Sequence, residues 1–268
     1  MNTENRPHPD KAYKNLDFLN SPTARSIRVQ CEFTEPGERF RKLGIKHSVV
    51  FFGSARPIPM EQAEKELEAL KKDSADPSTL IRAKNVVRLA KYYEATRQLA
   101  FELTEWEMKR TNGNPKIFVC TGGGPGIMEA GNRGAHEANG KSIGLGISLP
   151  FEQTNNEYIP YDYSFEFHYF FVRKYWFHYI SKAMVAFPGG FGTMDELFEV
   201  LTLIQTRKST KHLPILLYGK EYWDDVLNFE KYVEWGVISP EDLKLFRFVD
   251  EVQEAKEIII KELLEHYL

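Results

Sequence analysis

The chain of 268 residues has only two cysteines, Cys31 and Cys120, and no C-x-x-C pair. That excludes a disulfide framework and a zinc knuckle and makes a reducing cytoplasm the expected compartment. Long apolar runs are missing as well. Val49-Val50-Phe51-Phe52 and Leu213-Pro214-Ile215-Leu216-Leu217-Tyr218 fall far short of the roughly 18 residues that a membrane span needs. The polar start, MNTENRPHPDK, does not resemble a signal peptide. Charge of one sign is not in excess: 35 Lys and Arg stand against 38 Asp and Glu, a net charge of −3, with no block of like charge to serve as a polyanion-binding tail. Neither nucleic acid nor a membrane is an expected partner. The seven histidines are scattered, and no H-E-x-x-H or G-x-S-x-G occurs, so neither a metal nor a hydrolase nucleophile elbow is expected.

What is there fits a globular chain, with 42% apolar and 27% charged residues. Short apolar runs alternate with amphipathic stretches, the pattern of an α/β domain with a mostly parallel sheet. Strands are expected at Ser48 to Phe52, Lys116 to Cys120, Ser142 to Ser148, Ala183 to Phe187 and Leu213 to Tyr218. Ser78 to Lys109 reads as one or two helices, Met194 to Arg207 as a helix with one apolar face, and Val252 to Leu264 as a last helix. No repeat or Pro/Gly/Ser-rich linker divides the chain after residue 47. The expected organisation is an N-terminal extension, residues 1–37, followed by a single domain, 38–268.

Three expected strands run directly into glycines: Gly53-Ser54-Ala55-Arg56, Thr121-Gly122-Gly123-Gly124-Pro125-Gly126 and Pro188-Gly189-Gly190-Phe191-Gly192-Thr193. In open α/β sheets, ligands bind at the carboxyl ends of strands, where glycine lets backbone approach closely and helix N-termini favour phosphate. Each loop by itself is equally explained by a tight turn; three on one edge point to a shared crevice. The second loop fails the dinucleotide fingerprint, which needs glycine where Ile127 stands. Gly140-Lys141-Ser142 fails the P-loop pattern, which needs glycine at Ala135.

Thr193 and Glu196 have the T-x-x-E spacing of a capping box, so Glu196 caps its own helix, faces a ligand one turn from the phosphate loop, or does both. Upstream, Arg173 and Lys174 lie among Phe170, Phe171, Tyr175, Trp176, Phe177 and Tyr179, an aromatic stretch suited to a core or a subunit interface. An arginine embedded there could hold an anion or orient a carboxylate.

Taken together, Gly53-Ser54-Ala55-Arg56, the GGGPGIMEAGNRGAHEANG stretch from Gly122 to Gly140, Arg173-Lys174 and PGGFGTMDE from Pro188 to Glu196 resemble the LOG family. Its members are cytokinin riboside 5′-monophosphate phosphoribohydrolases, long mislabelled lysine decarboxylases. The resemblance spans about residues 38 to 220, and the long N-terminal segment is similar to that of the family's extended branch. It implies a Rossmann-like doubly wound fold flanked by helices, a homodimer or higher oligomer, and hydrolysis of a nucleoside 5′-monophosphate such as AMP to base and ribose 5-phosphate, with no cofactor. Arg173 and Glu196 then correspond to the catalytic pair. Gly189, Gly190, Gly192 and Thr193 correspond to the phosphate loop, with Gly53, Ser54, Gly122, Gly123, Gly124, Gly126 and Lys174 completing the substrate site. Phe170-Phe171-Val172 stands where shorter members tend to have Met-x-Glu, which bears on contacts to the base. The alternative from another class is a Rossmann-like nucleotide or cofactor carrier that binds without cleaving.

Overall fold

In the computed structural model of the chain, residues 9–150 and 155–268 are described. They divide into two compact units, one ending at Leu43 and one running from Gly44 to Leu268. The first holds α1 (Leu16–Asn20) and α2 (Arg25–Lys42). Asn15 caps α1 by accepting from the Phe18 amide at 3.0 Å, and the Arg28 guanidinium of α2 donates to the Leu19 and Ser21 carbonyls at 2.6 and 2.7 Å. Those bonds satisfy acceptors that the end of a helix otherwise leaves open.

The second unit is built on one sheet. Its elements in chain order are β1 (His47–Phe52), α3 (Met60–Lys72), α4 (Pro77–Arg110), β2 (Ile117–Thr121), α5 (Ile127–Glu137), β3 (Ile143–Ile147), β4 (Ser164–Phe167), α6 (Phe170–Ile180), β5 (Ser181–Ala186), α7 (Phe191–Gln205), β6 (Ile215–Tyr218), α8 (Lys220–Val226), α9 (Phe229–Glu234), β7 (Arg247–Val249) and α10 (Val252–His266). The strands lie in the order β4-β3-β2-β1-β5-β6-β7, and every pairing is parallel. All five expected strands are present within a residue or two. Two edge strands, β4 and β7, escape the sequence pattern because β4 alternates buried and more exposed residues and β7 has only three.

The Ser78 to Lys109 stretch forms one helix. Asp76 accepts from the amides of Ser78 and Thr79 at 2.9 and 3.0 Å, Pro77 occupies the first turn where its missing N–H costs nothing, and Lys109 and Arg110 sit at the negative end. Val49, Phe51, Val119, Val185 and Leu216 of the sheet pack with Leu99 and Leu103 of α4, Ile127 of α5 and Ile259 and Leu263 of α10. Central strands buried on both faces need continuous apolar runs, which is why they were legible.

The strand order positions the site. From β1 the chain steps outward through β2, β3 and β4 on one side, then returns so that β5 pairs with β1 on the other. The loops after β1 and β5 therefore diverge at a topological switch point, where doubly wound sheets bind ligands.

Candidate functional site

The loops after β1, β2 and β5 are joined to one another by backbone bonds. The Ser54 amide donates to the Pro188 carbonyl at 2.9 Å, and the Ile127 amide donates to the Ser54 carbonyl at 2.9 Å. This close approach depends on glycine. A Cβ on Gly53 would come within 2.6 Å of the Ile127 side chain, and one on Gly126 would strike the Ser54 carbonyl, while Gly126 also holds φ at +73°. A buried polar network sets the β2 loop. Thr121 Oγ1 donates to Asn132 Oδ1 at 2.7 Å and accepts from the Gly123 amide at 3.0 Å, and Asn156 Nδ2 donates to the Gly123 carbonyl at 2.9 Å and to Asn132 Oδ1 at 2.9 Å.

These loops open on a cleft of about 810 Å³, within the range of small-molecule sites. Gly53, Ser54, Gly122, Gly124, Arg173, Gly189, Gly190, Gly192, Thr193 and Glu196 line it. Gly123, Gly126 and Lys174 do not. The two glycines shape the loop, and Lys174 stands behind Glu196. Apolar side chains, among them Leu89, Met128, Ile147 and Phe170, form much of the remaining wall. Leu89, Met128, Asn155 and Tyr222 were not singled out from the sequence. Tyr222 carries no motif signal, yet its hydroxyl donates to the Gly189 carbonyl at 2.5 Å and fastens the β5 loop to α8.

Helix α7 begins at Phe191 with Gly190 as its N-cap, and no side chain caps it. Its first N–H groups, which no helix can satisfy internally, therefore face the cleft at the positive end of the helix dipole. A Cβ on Gly190 or Gly192 would meet nothing within 4 Å among the described residues, so packing does not require glycine at either position. Thr193 is already inside the helix. The capping-box reading of Thr193 and Glu196 therefore gives way: the T-x-x-E spacing falls within the helix, not across its start.

Glu196 instead lies buried at 6% exposure, between α7 and α6. Lys174 Nζ is 3.2 Å from its Oε1 and 2.8 Å from both Asp195 Oδ2 and Glu199 Oε2. Burial pushes the Glu196 carboxyl above its ordinary pKa, opposed by the positive charges of Lys174 and Arg173. Burial also works to lower Lys174, but its bonds to Asp195 and Glu199 and the charge of Glu196 prevail, and its pKa rises. The lysine thus offsets part, but not all, of what burial costs the carboxylate.

Successive helical residues point about a quarter turn apart, so Arg173 faces the cleft while Lys174 faces α7. The Arg173 guanidinium carbon lies 5.1 Å from the Phe170 ring centroid and 5.7 Å from that of Phe177. Its Nε is buried without a hydrogen-bond partner among the described residues. Burial lowers its pKa against the pull of Glu196. It makes no ion pair within 4.0 Å among the described residues, so a half-buried cation on the cleft wall can meet an anionic ligand. The arrangement can hold a phosphate at α7 and Arg173 and present a buried carboxylate to the group beyond it.

Comparison with known proteins agrees with the motifs. The family described as "Possible lysine decarboxylase" matches residues 128–259. The cytokinin riboside 5′-monophosphate phosphoribohydrolase LOG7 of Arabidopsis thaliana is 30% identical over 179 residues, 66% of this chain and 75% of its own length. The probable enzyme of that name LOGL5 from Oryza sativa subsp. japonica is 34% identical over 128 residues, 46% of this chain, and the chain spans 50% of that relative's length. Among solved structures, a molybdenum cofactor carrier protein from Chlamydomonas reinhardtii aligns with 82% of this chain and 99% of its own at 18% identity and a TM-score of 0.45. With a relative of at least 30% identity matched over three quarters of its length, this chain belongs to the LOG family.

Proposed function

We propose that the chain hydrolyses the N-glycosidic bond of a nucleoside 5′-monophosphate, such as AMP or a cytokinin riboside monophosphate, to free base and ribose 5-phosphate. The observation that carries the proposal is the buried Glu196 carboxylate on the cleft wall, one helical turn from an uncapped helix N-terminus and held from behind by Lys174. A site that only binds phosphate has no use for a buried negative charge beside it.

In this reading the phosphate sits on the Gly190 to Thr193 backbone and draws on the charge of Arg173, which fixes the ribose in register. As the bond between C1′ and the base nitrogen breaks, its electron pair leaves with the base and positive charge builds on the sugar. Glu196 stabilises that oxocarbenium-like state or takes a proton from the water whose oxygen bonds C1′, and the departing base nitrogen takes up one proton in exchange, so that water is divided between ribose 5-phosphate and base. Phe170 and the apolar wall receive the base. The exposed aromatic residues of α6, Phe170, Phe171, Tyr175 and Tyr179, are the proposed subunit interface of a homodimer or larger assembly.

The test is to incubate the protein with a panel of nucleoside monophosphates and follow base and ribose 5-phosphate by chromatography. Stoichiometric release of both is expected. Saturable nucleotide binding with no release would instead establish the non-catalytic carrier.

A further inference from the structure

Away from the cleft, three side chains scattered in sequence come together with the donor set of a metal site. His212 lies on the loop leading into β6, and Glu262 and His266 stand one turn apart on α10. Each offers one ligand atom, and the three atoms lie within 4.8 Å of one another. Both imidazoles direct Nε2 at the same carboxylate oxygen, Glu262 Oε2: His212 is in close contact with it and His266 is 3.6 Å away. The rings lie 3.8 Å apart between centroids. Two imidazolium cations at that separation would repel, whereas two neutral rings can share one cation as ligands.

The surroundings orient this set as outer-shell groups orient metal ligands. Arg247 Nη2 is 3.6 Å from the other carboxylate oxygen, Glu262 Oε1, leaving Oε2 to the imidazoles. The Tyr267 hydroxyl donates to the His212 carbonyl and ties the loop to α10. Glu265 Oε2, 4.0 Å from His266 Nε2, adds a second negative charge at the rim. Glu262 is a buried anchor while both histidines are exposed, so an ion can enter from solvent.

We propose that His212, Glu262 and His266 bind a divalent transition-metal ion of the zinc class. Two imidazoles and a carboxylate without thiolate suit such an ion, and water takes the fourth position. With metal–ligand bonds of about 2.0 Å, tetrahedral donors lie about 3.3 Å apart, so on binding His212 draws back from Glu262 Oε2 while His266 closes from 3.6 Å. The site is at the amino end of β6, whereas the cleft is at the carboxyl ends of the strands. The ion therefore cross-links α10 to the loop entering β6 and acts on stability, not on chemistry in the cleft.

The test uses the untagged full chain, stripped with a chelator and titrated with Zn²⁺ by calorimetry, with Co²⁺ absorbance as a second measurement. One ion per chain is expected. At a hundredfold excess over Kd the Tm should rise by roughly 5 °C. H212Q and H266Q should each weaken binding at least tenfold. The double variant should lose the metal-induced Tm rise while keeping AMP turnover. Absence of saturable binding by the wild type at submillimolar Zn²⁺, or unchanged binding by the double variant, would overturn the proposal. If the double variant does not fold, the wild-type Co²⁺ spectrum decides: d–d bands of a nitrogen and oxygen site support the proposal, and their absence overturns it.

Discussion

Replacing Glu196 with glutamine removes one charge and almost no volume, which separates chemistry from folding at this position. Glu196 is 6% exposed and its pKa is raised by burial. A carboxylate with a raised folded pKa makes the folded state less stable as pH rises through the unfolded pKa toward the folded one. The amide relieves this cost and gives up one contact to Lys174, which keeps Asp195 and Glu199 at 2.8 Å each. The two effects oppose, so Tm at pH 7 should move by no more than about 3 °C, equivalent to roughly 1 kcal/mol in a domain of this size. Turnover has no such compensation. Removing an electrostatic contact that matures in the transition state costs about 3 to 4 kcal/mol, or roughly 10² to 10³ in kcat. The phosphate loop is untouched, so AMP should still bind. The assay is base release at saturating AMP, alongside calorimetric binding and thermal melting of the same preparation. Turnover within about threefold of wild type, with binding and Tm intact, would refute the catalytic role of Glu196.

Lys174→Met should raise the acidic limb of the kcat–pH profile, because the lysine is a positive charge that lowers the Glu196 pKa. It should also lower Tm, since the buried Glu196 and its neighbours Asp195 and Glu199 would lose the cation they share. Gly126→Ala should be strongly destabilising in thermal melts, as its Cβ would strike the Ser54 carbonyl at a φ of +73°. Gly190→Ala should melt like wild type yet bind AMP more weakly by calorimetry, since its Cβ meets no described residue within 4 Å and would project into the proposed phosphate site. AMP should be cleaved with a kcat/KM far above that of adenosine, because phosphate contacts are used to hold the transition state; equal values would remove the phosphate from the mechanism. Light scattering should give at least a dimer mass at assay concentration, and a fully active monomer would free the aromatic face of α6 from an interface role.

The five strands found from sequence are those whose residues are apolar on both faces, because a central parallel strand has no solvent side to encode. β4 and β7 sit at the edges, where Ser164–Phe167 alternates and Arg247–Val249 is too short to form a pattern. The glycine loops were legible because each directly follows a strand. Their division of labour was not. Gly53 and Gly126 serve the close approach of chain segments distant in sequence, and Gly190 and Gly192 leave space, a distinction that depends on which atoms lie opposite each missing Cβ. The T-x-x-E spacing of Thr193 and Glu196 was ambiguous for a local reason: side chains three residues apart share a helix face whether the helix starts at the first of them or earlier. Only the fold, by starting α7 at Phe191 and laying α6 beside it, placed Lys174 against Glu196 and Arg173 on the cleft. His212, Glu262 and His266 show the same limit, since the contact between a loop and a helix some fifty residues later follows from how α10 packs on the sheet, and no spacing along the chain records it.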